Sequence, residues 1–364
     1  MPAMGSKSDT DLCTGGPRFK FERLIVSEPS GVALQFKEHD GRRFIVKTSA
    51  PDQQRAMKKE IELLEQLKGA EHIVSPILSS RNPLVPGKDE RHGLDVPFVI
   101  MQCLENGTLE QFRYRIHKHK GRYSIGYIPN RILWAIFLCK IRACMAMAYP
   151  QSASPGKPEK PDERTPDSIA HLNMHAGNFV FDQPEPGEGE HSTVPPLKLL
   201  GFGFARRLGH NIWPTRGPPT MRPHTFDVVM DLFTDESERG KRNCGMDQNL
   251  LDVGVQMVCL ITQFSYPSVS HVREVTMDEF YFRFPPHLDP ELKRLVQRCL
   301  AGEPYNRPRL EELAGLIDSG VFSKTANDYA DTPNRYYESD QNIRDFVQRY
   351  ILDAETAPLP LLGA

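Results

Sequence analysis

The hydrophobic period of this chain changes near residue 50, and that change constrains its fold more than any other feature. Over residues 19–49, short apolar runs are cut by turn residues: FERLIV, SEPSG, VALQFK, EHDG, RRFIVK. Alternation of apolar and polar residues, with EHDG as a reversal, predicts antiparallel strands joined by hairpins. Over 53–67 the period becomes helical, with Met57, Ile61, Leu64 and Leu67 recurring on one side and charges on the other. Residues 72–78 and 97–101 (PFVIM) predict two further strands, separated by a polar loop containing proline and glycine. The chain therefore opens with five strands and one helix.

The remainder of the chain is mainly helical. A helical segment starts at 107–112, and 131–148 is a strongly apolar helix with Trp134, Phe137, Leu138, Ile141 and Met145 on one side, as a buried helix would have. Further helices are predicted at 250–264, 290–300, 309–317 and 342–352. Residues 151–167 hold four prolines and no aliphatic residue larger than alanine, and 182–196 is similar and acidic. Such composition predicts disordered surface insertions. The polar residues 1–18 predict a disordered tail.

A length of 364 residues suffices for one large domain or two lobes, burying roughly three quarters of the unfolded surface. Hydrophobic residues make up 39% and charged residues 25%, which describes a soluble globular protein. A net charge of −2 gives no global basic field to recommend nucleic acid. The 7 cysteines form no CxxC pair and several sit in apolar runs, as buried free thiols in a reducing compartment would. The first twenty residues lack an apolar signal core, and no 18-residue apolar stretch occurs. These features predict a cytoplasmic protein without membrane insertion, a nuclear location being the alternative.

Chemistry-bearing residues concentrate in 168–206. HLNMHAGN (171–178) and LLGFGFA (199–205) are each flanked by short apolar runs, a strand–turn–strand pattern that places both on loops at strand ends. Ligands of α/β proteins are commonly held at such loops.

With its neighbours, this stretch resembles the eukaryotic protein kinases, and the motifs come in that family's order. FIVK (44–47) stands where the family carries its phosphate-pairing lysine, Lys47, and Glu60 stands at the helix glutamate that pairs it. Met101 and QCLENGTL resemble the gatekeeper and hinge, with Cys103 in the hinge. HLNMHAGN resembles the catalytic loop and GFG (201–203) the metal-binding loop. GPPTMRPH (217–224) resembles the end of the activation segment, LDVGVQM the helix with a buried aspartate, Asp252, and CLAGEPYNRP the late loop carrying Arg307. The resemblance covers about residues 19–320. It implies an α+β, bilobal kinase-like fold: a small antiparallel β-rich N-lobe with one helix (19–102), a larger mainly α-helical C-lobe (103–322), and a C-terminal extension with one helix (323–364).

The same resemblance implies that most of the catalytic charge is missing. Phosphoryl transfer needs a glycine loop over the phosphates, a lysine, metal ions and a base. Here the glycine loop keeps only Gly31, and Pro29 removes a backbone donor. Asn173 occupies the position of the catalytic aspartate, where a neutral amide cannot take a proton, so base assistance of about 10²–10⁴-fold is forfeited. Gly201 replaces the metal-binding aspartate, leaving Asn178 as the one matching metal ligand. His175 stands where many kinases have a phosphate-contacting lysine, Ile45 where they have a small alanine against adenine, and His224 where a glutamate pairs with Arg307. Leu64, His171, Phe202 and Asp252 match positions of the family's internal packing.

The resemblance thus points to a pseudokinase acting as a scaffold or allosteric regulator of a protein partner, an active kinase among the candidates. The alternative is a weakly active or atypical ATP-dependent Ser/Thr kinase or nucleotide transferase using Lys47, Glu60 and Asn178, with a carboxylate such as Asp182 reaching the metal. The nucleotide-binding set, if retained, is Lys47, Glu60, Met101, Cys103 and Asn178, and the cofactor it leaves open is ATP with weak or no magnesium. Plainer readings stand beside these. Lys47 and Glu60 tie helix to strand, Asn178 braces its own loop, His171, Cys139 and Cys144 are core residues, and the helix at 342–352 packs back on its own domain.

Overall fold

The structure, a computed structural model, describes residues 19–28, 31–77, 97–118, 127–150, 157–185, 187, 189–208, 243–263, 284–301 and 307–353. The expected disordered tail at 1–18, Pro29 and the GPPTMRPH motif with His224 lie outside them. The architecture is mixed α+β, and the chain separates into two compact units.

Among the described residues, the first unit holds 19–65 and 75–103. Its sheet is antiparallel throughout, in the order β1 (Phe19–Glu28), β2 (Gly31–Glu38), β3 (Arg43–Ser49) and β4 (Phe98–Gln102). The register sets Leu34 opposite Val46 and Val46 opposite Ile100, so alternate residues share a face. One face buries Phe44, Val46 and Ile100, with Phe19, Phe36, Ile77 and Phe98 packed around them. The opposite face carries Ile45 across from Met101 and Lys47 across from Val99. Helix α1 (Gln54–Gln66) buries Met57, Glu60, Leu63 and Leu64. Gly31 is fixed by backbone proximity: its φ is +149°, and an added Cβ would lie 2.1 Å from the Thr48 carbonyl oxygen.

The strand expected at 72–78 is reduced to two isolated bridges, Ile73 with Leu199 and Pro76 with Met101. Pro76 has no N–H with which to continue a ladder. Residues 66–74 belong with the second unit, where Leu199 N–H donates to the His72 carbonyl and Val74 N–H to the Leu199 carbonyl.

The second unit is built around α3 (Asn130–Ala148), in which every residue except Arg131 is buried. Such a helix is apolar nearly all round, which suits a core position. It packs on α4 (Cys244–Thr262) and α6 (Leu310–Ser323), and Gly320 of α6 lets the two backbones close over Trp134. Among the described residues, the other α-helices of this unit are α2 (Leu109–Lys118), α5 (Pro290–Cys299) and α7 (Asp340–Val347), which runs on into a π-turn at Gln348–Leu352. Among the described residues, the unit also holds two short antiparallel pairs: β5 (Ile169–Ala170) with β8 (Arg206–Arg207), and β6 (Phe179–Phe181) with β7 (Leu197–Leu199).

Helix α4 begins six residues earlier than its apolar run suggested, because Asn243 caps it through Met246 N–H at 3.1 Å. The C-terminal segment folds back onto its own unit. Arg115 Nε donates to the Tyr350 carbonyl at 2.7 Å, and the Phe112 and Phe346 rings meet edge to face. Buried Glu338 accepts from the Asn130 and Arg131 N–H groups at 2.7 and 3.2 Å, satisfying the open start of α3. Among the described residues, no helix is long and apolar enough to cross a membrane.

The two proline-rich segments depart most from expectation. Glu159 lies in one and His191 in the other, and both are buried. Composition predicted disorder for 151–167 and 182–196 because they have few large apolar groups; what fixes 157–167 is a polar network, joined in the described residues of 182–196 by buried Val194, Pro195 and Pro196.

Candidate functional site

In the first unit, β3 and α1 bring Lys47 and Glu60 together. Lys47 Nζ donates to Glu60 Oε1 at 2.8 Å and Oε2 at 2.7 Å, a two-oxygen contact with a buried carboxylate. Ile45 projects from the same strand face, paired with buried Met101, and half-buried Cys103 comes just after β4. The face carrying the lysine is therefore lined by a branched side chain two residues before it.

The second unit gathers His171, Asn173, His175, Asn178, Gly201 and Phe202 into one pair of loops. Side chains reaching backbone groups hold the loops in place. Asn249 in α4 accepts from His171 N–H at 3.0 Å and donates to the Ile169 carbonyl at 2.8 Å. The His171 ring accepts from Asn173 N–H at Nδ1, which leaves Nε2–H to donate to the Leu200 carbonyl at 3.1 Å. Phe202 stands edge to face on that ring at 4.8 Å. Between them, Leu172 takes φ +58°, a left-handed backbone that costs a branched-chain residue on the order of 1–3 kcal/mol.

Asn178 is committed to this frame. Its Nδ2 donates to the Asn173 carbonyl at 2.8 Å, and its backbone accepts from Leu200 N–H at 2.9 Å. Gly201 has φ +86°, and a Cβ added there would sit 2.8 Å from Asn178 Oδ1. The space beside Gly201 is thus filled by the Asn178 amide. Magnesium takes carboxylate and phosphate oxygens in a strict octahedron, and two amides with a glycine do not fit it. Asp182, the carboxylate that could have helped, instead pairs with Lys198 at 2.7 Å along β6 and β7. His175 accepts from Gly177 N–H at 3.1 Å, so one ring nitrogen caps the turn at 176–178.

Asp252 and Arg307 are both buried. The Asp252 carboxylate accepts from Gln248 at 3.0 Å, and it is Asn249, one helical turn earlier, that braces the His171 loop. Burial pushes the Asp252 carboxyl up to about 7, against the opposing effects of Gln248 and Arg307. Arg307 donates to the Ala301 and Asp247 carbonyls at 2.9 and 3.1 Å. Leu64 is buried in the first unit.

A second buried polar cluster escaped sequence reasoning altogether. His72 lies just beyond α1, Cys139 lies in α3, and His191 lies in the loop between β6 and β7. One ligand-capable atom from each falls within 4.8 Å of the others, and all three side chains are buried. His72 Nδ1 meets Glu159 Oε2 at 2.7 Å, and the other Glu159 oxygen accepts from His72 N–H at 2.8 Å. His72 Nε2 faces His191 Nε2 at 3.0 Å. Arg142 donates to the Glu159 carbonyl and to Glu190 Oε2, each at 2.9 Å. Burial alone would raise the Cys139 thiol, but His191 and His72 outweigh it and bring it down to about 6. The only signal of this cluster in the sequence is Val-Pro-Pro at 194–196, a short apolar anchor in an otherwise polar run.

No protein-family model matches the chain, and no curated protein matches it.

Proposed function

We propose that this chain is a catalytically impaired protein kinase-like protein, a pseudokinase of bilobal fold, that acts as a scaffold or allosteric regulator on a protein partner in intracellular signalling. Support for the fold comes from a four-stranded antiparallel sheet with one helix, succeeded in the chain by a mainly helical unit. Support for the impairment comes from one observation above others: the Asn178 amide fills the space beside Gly201 and donates to the Asn173 carbonyl. The positions that would supply a base and a metal carboxylate are an amide, Asn173, and a glycine, Gly201, and the Asn178 side chain touches both. An active kinase is one candidate for that partner.

A phosphoryl-transfer assay on the purified chain with Mg²⁺ or Mn²⁺ tests it. The expected result is no turnover above that of Lys47→Ala. Turnover that Lys47→Ala abolishes overturns the proposal. It would favour the second reading, an atypical ATP-dependent Ser/Thr kinase or nucleotide transferase, for which the intact Lys47–Glu60 pair is the supporting observation.

A further inference from the structure

The cluster around Cys139 has the features of a closed metal centre, and its side chains are none of those in the loops that carry Asn173 and Gly201. Its side chains, Glu159 included, come from four separated places in the sequence, so no local turn or capping need accounts for their meeting. Every candidate ligand is a good one for a borderline-soft divalent ion: two imidazoles, a thiol and a carboxylate.

Three donor–donor distances among the imidazoles and Glu190 are of the size a tetrahedral ion needs, and Cys139 Sγ lies within 4.8 Å of a ring nitrogen of each histidine. The Nε2 atoms of His72 and His191 lie 3.0 Å apart. Glu190 Oε1 stands 3.3 Å from His191 Nε2 and 3.9 Å from His72 Nε2. Tetrahedral zinc with nitrogen at about 2.0–2.1 Å requires ligand–ligand edges of about 3.4 Å, which these three distances bracket. Glu190 Oε1 has no hydrogen-bond partner among the described residues despite its burial. Its charge is met from the imidazole side, at His191 Nε2 3.3 Å away, by an imidazolium or by a metal ion bound in its place. Glu71 Oε1, 3.8 Å from His191 Nε2, is a second carboxylate on that side.

The surrounding groups prepare these ligands. Glu159 holds the His72 Nδ1 proton and turns the Nε2 lone pair inward, the carboxylate–histidine arrangement typical of zinc sites. Arg142 occupies Glu190 Oε2 and leaves Oε1 to the centre. Leu197 N–H donates to Cys139 Sγ at 3.4 Å, a contact that suits a thiolate. Asp318 in α6 pairs with Arg142 in turn.

We propose that His72, Cys139, His191 and Glu190 bind one zinc ion in a structural site that fixes residues 157–162 and 189–196 onto α3. The ligands are almost wholly buried, as in closed structural sites, which keep no open position for substrate. The site is independent of nucleotide and of phosphoryl transfer.

Metal analysis of the full chain, purified from zinc-supplemented medium without chelator, should give about one zinc per folded molecule. Replacement by Co²⁺ should give tetrahedral visible bands together with a thiolate-to-cobalt charge-transfer band. Cys139→Ser should lose that band, and Glu159→Gln should weaken metal affinity by about 10–100-fold. His117→Ala, on an exposed histidine of α2, should change neither. Because Cys139→Ser could fail to fold, the unmodified chain decides the matter. A folded chain without zinc that takes up no Co²⁺, or takes it up without thiolate charge transfer, overturns the site.

Discussion

At the scale of single residues, the decisive contact is Gly201 against Asn178. Introducing Gly201→Asp forces a side chain into left-handed backbone and onto an amide 2.8 Å from the new Cβ. We expect a loss of about 1–3 kcal/mol of stability in urea unfolding, and no gain in phosphoryl transfer even when combined with Asn173→Asp. Asp252 supplies a pH signature. Its folded carboxyl titrates at about 7, above its ordinary value of 3.8, so its neutral form is favoured by folding. That contribution is fully present below pH 4 and is lost as pH rises through 7. Asp252→Asn should therefore gain thermal stability relative to the parent at pH 8 but not at pH 4, by a few kcal/mol at most. An equal shift at both pH values would contradict the buried, neutral carboxyl. The identities of Asn173, Gly201 and Lys47 were open to a reader of the sequence, because they sit within ordered motifs. The engagement of Asn178 with Asn173 was not, because it depends on how a loop closes in space.

At the scale of elements, periodicity carried the assignment well where burial is one-sided or complete. The alternation of β2 and β3 and the stripe of α1 come from it directly, and so does the all-round apolar character of α3. It failed where polar groups end or anchor an element. The start of α4 is set by Asn243, and the anchoring of residues 157–162 rests on Glu159 rather than on any apolar residue. Helix α3 shows the same effect over long range. Pro129 precedes it without a side-chain cap, and the role passes to Glu338. Glu338→Ala should leave the buried Asn130 N–H and the half-buried Arg131 N–H without their acceptor, costing about 2–4 kcal/mol by denaturant unfolding. Glu338→Gln keeps the shape and one acceptor and should cost about half of that. If both variants unfold with the parent, the cap is energetically idle.

At the scale of the whole molecule, the order of units along the chain could be read from the change of hydrophobic period, whereas the grouping of 66–74 with the second unit could not. That segment is tied by backbone bonds to Leu199, a partner more than a hundred positions away. Any nucleotide that binds should do so without help from magnesium, since Asn178 is engaged in its own loop. ATP should therefore raise the melting temperature equally with Mg²⁺ and with Mg²⁺ simply omitted, or not at all. A rise that requires Mg²⁺ would show that the loop opens to a metal. The cap on α3 bears on the birth of the protein as well as on its equilibrium. Glu338 comes 208 residues after Asn130. At ribosomal rates of about 5–20 residues per second, the helix at the heart of the second unit waits roughly 10–40 s for its cap. During that interval a long apolar helix is finished at one end only, and a nascent chain arrested before Glu338 should be the form that chaperones hold longest.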